Sequence, residues 1–185
     1  MSRGRRVRRR GRLIPPLPYI LTVSGSPQPD SQNSLLLSAC ANLTPVRLIR
    51  SINPAQLPVY QPDLDRSPWP EMVLTWRQQW RQARAIIIST PAYLDNLPGV
   101  LKNALDWLAT SGEADGKMVL PITFPPTLPR GEHVMQSLLW SLQALHARIP
   151  ANVPLAQADL KFAENGDLEE GESRSLLAAA LDLLS

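Results

Sequence analysis

From residue 19 to its end, the chain alternates short apolar runs with longer amphipathic stretches. Tyr19-Ile20-Leu21-Thr22-Val23 is apolar with little polar alternation, the pattern of a strand covered on both faces. It predicts strand β1 at 19–23. Leu35, Leu36, Leu37 and Ala39 predict helix α1 at 34–42, and the run at 45–49 predicts β2. A proline-rich connection (Pro54, Pro58, Pro62, Pro68, Pro70) then leads to an amphipathic α2 at 71–82, which carries Trp76 and Trp80 as core residues. The same reading places β3 at 85–89, α3 at 99–109, β4 at 117–123, α4 at 133–146, a weaker β5 at 148–153 and α5 at 172–184. Five strand–helix pairs in strict alternation predict a parallel sheet with helices on both faces, joined by right-handed crossovers.

Two breaks in this pattern suggest chemistry. In the segment IIISTPAYLDNLPGVLKNALDW, residues 86–107, the strand cannot continue through Pro91, and a helix restarts at Pro98 or Gly99. Ligands in open α/β sheets bind beyond the carboxyl ends of the strands, which makes this loop one edge of a candidate site. The other break is Ser24-Gly25-Ser26-Pro27-Gln28-Pro29-Asp30-Ser31-Gln32-Asn33, between β1 and α1. Hydroxyls, an amide and free N–H groups at a helix N-terminus suit a phosphate. The segment also reads as a plain strand–helix turn with Ser31 as N-cap. It carries no positive side chain and matches neither G-x-x-x-x-G-K-[ST] nor G-x-G-x-x-G, which counts against a P-loop nucleotidase and a dinucleotide-type site. If β1 and β3 are neighbours, the two loops flank one crevice, with phosphate at the first and a planar ring at the second.

Composition sets the frame around these loops. A chain of 185 residues with 44% hydrophobic and 19% charged residues builds one core, so the expected organisation is a tail at 1–18 and one domain at 19–185. The net charge of +3 is misleading, because seven arginines and no acids lie in the first twelve residues; the remainder holds 12 bases against 16 acids, a balance of −4. The basic character belongs to the tail, which argues against a nucleic-acid-binding fold with a basic face. That tail, which could touch nucleic acid or anionic lipid, reads rather as a solvated arm or as residues upstream of the true start, without the apolar region and cleavage site of a secretory signal. The lone Cys40 can close no intrachain disulfide, and no apolar stretch approaches the ~20 residues of a spanning helix. The expected location is cytoplasmic. His133 and His146 lack a cysteine or carboxylate cluster at ligand spacing, which suggests a solvated helix face and no metal site. Ser24 and Ser26 lack a G-x-S-x-G elbow, so a hydrolase triad has little support.

The two loops together resemble the NADPH-dependent FMN reductase family of flavodoxin-like proteins, which includes quinone, chromate and azo-dye reductases. The family's first loop, G-S-x-R-x-x-S-x-N, is matched by Gly25-Ser26, Ser31 and Asn33. Its second loop, P-E-Y-N followed by P-G-x-L-K-N-A-x-D-W, is matched by Pro91 and Tyr93, then Pro98-Gly99, Leu101-Lys102-Asn103-Ala104 and Asp106-Trp107. Gly116-Lys117 before β4 is also similar to the family. The resemblance implies a three-layer α/β/α sandwich with a five-stranded parallel sheet in the order 2-1-3-4-5. It further implies bound FMN, NADPH or NADH as electron donor, and a small-molecule electron acceptor. The flavin would carry the chemistry with no catalytic side chain. By the same resemblance, Ser26, Gln28, Ser31 and Asn33 face the FMN phosphate, while Pro91, Ala92, Tyr93, Leu94, Phe124 and Pro125 border the isoalloxazine ring. A homodimer or homotetramer is implied, with Trp107 either an interface anchor or a core residue.

Three departures from the family pattern all lie in the predicted site. Gln28 stands where the family has arginine, so the loop offers hydrogen bonds without charge. Ala92 and Leu94 replace Glu and Asn beside the tyrosine. The usual Ser- and Gly-rich loop after β4 is the stiff, largely apolar Phe124-Pro125-Pro126-Thr127-Leu128-Pro129-Arg130-Gly131. A flavin-free, non-catalytic flavodoxin-like protein that acts through its surface or oligomer contacts is the alternative these changes leave open.

Overall fold

A computed structural model describes residues 18–185 of the chain. The expected tail therefore lies, apart from Pro18, outside the described residues. Five parallel strands form one sheet in the order β2-β1-β3-β4-β5. They are β1 Ile20–Ser24, β2 Leu48–Arg50, β3 Ala85–Thr90, β4 Met118–Thr123 and β5 Val153–Pro154. The helices are α1 Gln32–Ala39, α2 Glu71–Gln82, α3 Gly99–Asp106, α4 Glu132–Ala144 and α5 Glu172–Asp182. Every residue of β1 and β3 is buried, as their unbroken apolar runs require.

Alternation along these strands feeds two cores. Leu21, Val23, Ile86, Ile88 and Val119 point to the layer of α2, α3 and α4, while Ile20, Ile87, Leu120 and Ile122 point to α1 and α5. Helix α2 buries Val73, Trp76, Arg77 and Trp80, one stripe at helical spacing. The Trp76 and Trp80 rings meet edge to face at 5.6 Å, and Trp76 Nε1 donates to the Ala104 carbonyl of α3 at 2.9 Å. Beside them, the Arg77 guanidinium donates to the Trp107 carbonyl and pairs at 2.6 Å with Asp65, fastening the proline-rich connection to this layer. Trp107 is core: its indole is fully buried and its Nε1 donates to the Pro58 carbonyl at 2.8 Å. That placement removes it as an interface anchor.

Several boundaries move, and β2, expected at 45–49, starts only at Leu48 and ends at Arg50. Helix α1 begins two residues early, because the Ser31 hydroxyl accepts the Ser34 N–H as an N-cap. Helix α3 ends at Asp106 and continues as turns. The fifth strand is not 148–153. Arg148 pairs alone beside Met118, and ladder pairing resumes only at Val153, because Pro150 supplies no N–H in the interval. His133 opens α4, but His146 lies beyond the helix end with φ +57. Among the described residues no helix is long and apolar enough to cross a membrane.

Candidate functional site

Strand register brings the carboxyl ends of β1, β3 and β4 level with one another. Ser24 pairs with Ser89, and Thr90 with Thr123. The loops that leave these ends are tied together by backbone: Gly25 N–H donates to the Ser89 carbonyl at 2.8 Å, and Phe124 N–H to the Thr90 carbonyl at 2.9 Å. A Cβ at Gly25 would lie 2.7 Å from Thr90 Oγ1 and 2.9 Å from Leu101 Cδ2. Glycine is what lets the first loop press against the second.

In the first loop, Ser24, Ser31 and Ser34 form a hydroxyl cluster at the N-terminus of α1. Ser34 Oγ donates to Ser24 Oγ at 3.3 Å and lies 3.1 Å from Ser31 Oγ. The buried Ser26 hydroxyl accepts the Gln28 N–H at 3.2 Å, while the Gln28 side chain is exposed. The Asn33 side chain turns inward, its Oδ1 accepting from the Ser89 hydroxyl at 2.7 Å. Ser26, through its N–H at 3.4 Å, and Ser31, through its hydroxyl at 3.5 Å, meet at Ser24 Oγ, whereas the buried Asn33 amide is spent on Ser89 as a brace between α1 and β3 and not on the expected phosphate contact. From the β2 side, the Asn53 amide donates to the Pro27 carbonyl at 2.9 Å.

The second loop folds into a two-residue hairpin. Tyr93 and Asn96 exchange both backbone hydrogen bonds, and Leu94 and Asp95 make the turn with φ of +50 and +55. Leu94 is fully exposed and Tyr93 about half exposed. Among the described residues no partner engages the N–H groups of Ala92, Leu94 and Asp95. The hairpin is tethered to the third loop: Asp95 accepts the Gly131 N–H at 3.1 Å and pairs with His133 at the start of α4. Ala92, Leu94, Asp95 and Arg130 line a cleft of about 400 Å³ between the two loops. Pro125 lies buried at the base of this third loop, and the Phe124 ring is turned into the core of the α1–α5 layer. Burial of that ring removes its face from the cleft.

The sequence model of the NADPH-dependent FMN reductases matches residues 18–159, a span that includes every strand of the sheet. The chain belongs to the NADPH-dependent FMN reductase family. It is 28% identical over 178 residues to the NAD(P)H-dependent FMN reductase PA1204 of Pseudomonas aeruginosa, covering 89% of this chain and 92% of that protein. A 2-hydroxy-1,4-benzoquinone reductase of a Burkholderia species is 42% identical over 89 residues, 48% of each chain. The matched region therefore spans about half the length of that curated relative. In fold the chain is similar to FerB, a flavoenzyme NAD(P)H:(acceptor) oxidoreductase of Paracoccus denitrificans, with a TM-score of 0.77 and 24% identity over 91% of this chain and 95% of that one.

The cofactor of the FMN reductase family fits the donors present. At one end are hydroxyls and the N–H groups of α1, suited to a phosphate. At the other are unengaged N–H groups beside a cleft of small-molecule size. Arg50, whose guanidinium donates to the Ser34 hydroxyl at 3.1 Å, and the Asp95–His133 pair border these loops without being revealed by the linear pattern. The signal for Arg50 is weak, since arginine flanks the apolar pair Leu48-Ile49 on both sides, at 47 and 50, and it gains meaning only once strand order sets β2 beside β1.

Proposed function

We propose that this protein is an FMN-dependent NAD(P)H oxidoreductase that passes electrons from reduced nicotinamide to a small-molecule acceptor such as flavin or a quinone. The observation that carries the reading is the convergence, on one rim of the sheet, of a hydroxyl-lined helix N-terminus and a hairpin with open backbone donors. FMN, when bound, supplies the redox chemistry, accepting a hydride from nicotinamide and returning two electrons to the acceptor. The protein binds and orients. Ser26, Ser31 and the first N–H groups of α1 hold the phosphate, Gln28 adds neutral hydrogen bonds, and Asn33 keeps the loop in register through Ser89. Open N–H groups at Ala92, Leu94 and Asp95 stabilise negative charge on the polar edge of the ring. Pro91 and Tyr93 supply apolar walls, and the buried Pro125 and Phe124 support the third loop from beneath.

The exposed Leu94 and Tyr93 beside the cleft support a homodimer or homotetramer in which a second copy borders the site. A cytoplasmic location is part of the same reading. The test is the visible spectrum of the purified protein, followed by FMN titration and anaerobic NADPH. Flavin bands that bleach with NADPH and return on adding a quinone are expected. Absence of binding at micromolar FMN would overturn the reading.

A further inference from the structure

Gln28 leaves the phosphate loop without charge, but the fold brings a guanidinium to it from elsewhere. Arg50 ends β2, one strand away, where Thr22 of β1 is its register partner. Its Nη2 donates to the Pro29 carbonyl at 2.5 Å and to the Ser34 hydroxyl at 3.1 Å. Arg50 is thereby docked onto the serine cluster that caps α1, and it shares a small recess with Ser24 and Ser26. Arg77, Arg81 and Arg174 each face a carboxylate. Among the described residues Arg50 faces none, and its Nε and Nη1 donate to no protein acceptor. The arrangement is a positive charge held in place by neutral partners, with donors to spare.

We infer that Arg50 takes over the task of the loop arginine and is the charge that recognises the FMN phosphate. This assignment rests on the flavin reading above. Bonds from Nη2 to Pro29 and Ser34 hold the guanidinium before any ligand arrives, and its free Nε and Nη1 donors offer single charge-assisted contacts to phosphate oxygens. The phosphate then lies between a fixed cation and the N-terminus of α1, whose dipole adds to the attraction. Selection of FMN over riboflavin, which lacks the phosphate, is therefore set by residue 50 and not by residue 28.

The experiment is a fluorescence titration of FMN and of riboflavin, at low and high salt and without nicotinamide. The proteins are the wild type, Arg50→Gln, Arg50→Lys and the double variant Gln28→Arg/Arg50→Gln, each checked for fold by circular dichroism. Arg50→Gln is expected to weaken FMN about tenfold to a hundredfold, the effect of one lost charge-assisted contact, while riboflavin binding stays unchanged. Salt sensitivity should fall with it. Arg50→Lys should keep part of the preference, and Gln28→Arg should restore it. An unchanged FMN-to-riboflavin ratio in Arg50→Gln, or an equal loss of both flavins, overturns the assignment while leaving the flavin reading intact. A wild type that binds neither flavin overturns both.

Discussion

Leu94 occupies a backbone region that suits glycine or asparagine, with φ +50, and its side chain is fully exposed. A left-handed conformation costs an L-residue roughly 1–2 kcal/mol, and here no burial offsets it. Leu94→Gly or Leu94→Asn should therefore raise stability by about 1 kcal/mol in urea denaturation. Gly25 behaves oppositely. The Cβ of Gly25→Ala would meet Thr90 Oγ1 at 2.7 Å and Leu101 Cδ2 at 2.9 Å. The change should destabilise the protein by about 1–3 kcal/mol, seen as a lower Tm, because the loop after β1 must lift from β3. At this scale Ser31 was legible, since a serine three residues before Ser34 at a helix start is a capping signal. Asn33 was legible only as a polar residue in the loop. That its amide turns to Ser89 depends on a pairing between residues 56 apart.

Between elements, the Asp95–His133 pair ties the hairpin after β3 to the start of α4. The hydrogen bond that His133 donates to Asp95 raises the His133 pKa above its ordinary 6.5, and the same bond, with the Gly131 N–H, lowers Asp95 below its ordinary 3.8. A raised histidine contributes fully below its unfolded value and loses its contribution as pH rises through the folded one. A lowered carboxylate contributes above its unfolded value and loses its contribution as pH falls through the folded one. The tether is therefore fully formed between 3.8 and 6.5 and weakens above that window. Arg130 also favours the ionised Asp95, and Glu132 the protonated His133. Amide exchange at Gly131 should speed up as His133 deprotonates, and Asp95→Asn should return the His133 NMR titration to the ordinary histidine range. None of this was legible in sequence, because the partners stand 38 residues apart. Strand β5 was misplaced for a related reason. Its pairing comes in two pieces around Pro150, and an apolar count over 148–153 cannot tell pairing from interruption.

For the molecule as a whole, the order β2-β1-β3-β4-β5 followed from strict alternation together with the family resemblance. The loops that carry the site were legible because breakers sit at the ends of apolar runs. Arg50 was not, because it lies on a strand whose neighbour is set by topology. Layering also protects Cys40, which is buried in the α1–α5 core with its thiol pKa pushed up to about 12 by burial. Cys40 should resist thiol reagents in the native protein and react at the rate at which that layer opens, so its labelling kinetics should track unfolding across a urea series.

The two outer strands are brief: β2 has three residues and β5 has two, one of them Pro154. Proline has no N–H to offer, and a two-residue edge gives an incoming strand almost nothing to align with. The sheet is thereby closed to growth from β5, and it is guarded on the other side by the charged end of β2 at Arg50. Association through added strands, the usual route from an exposed sheet edge to aggregates, is disfavoured at both ends. Contacts between copies must then use helices and loops, the same surfaces that surround the cleft.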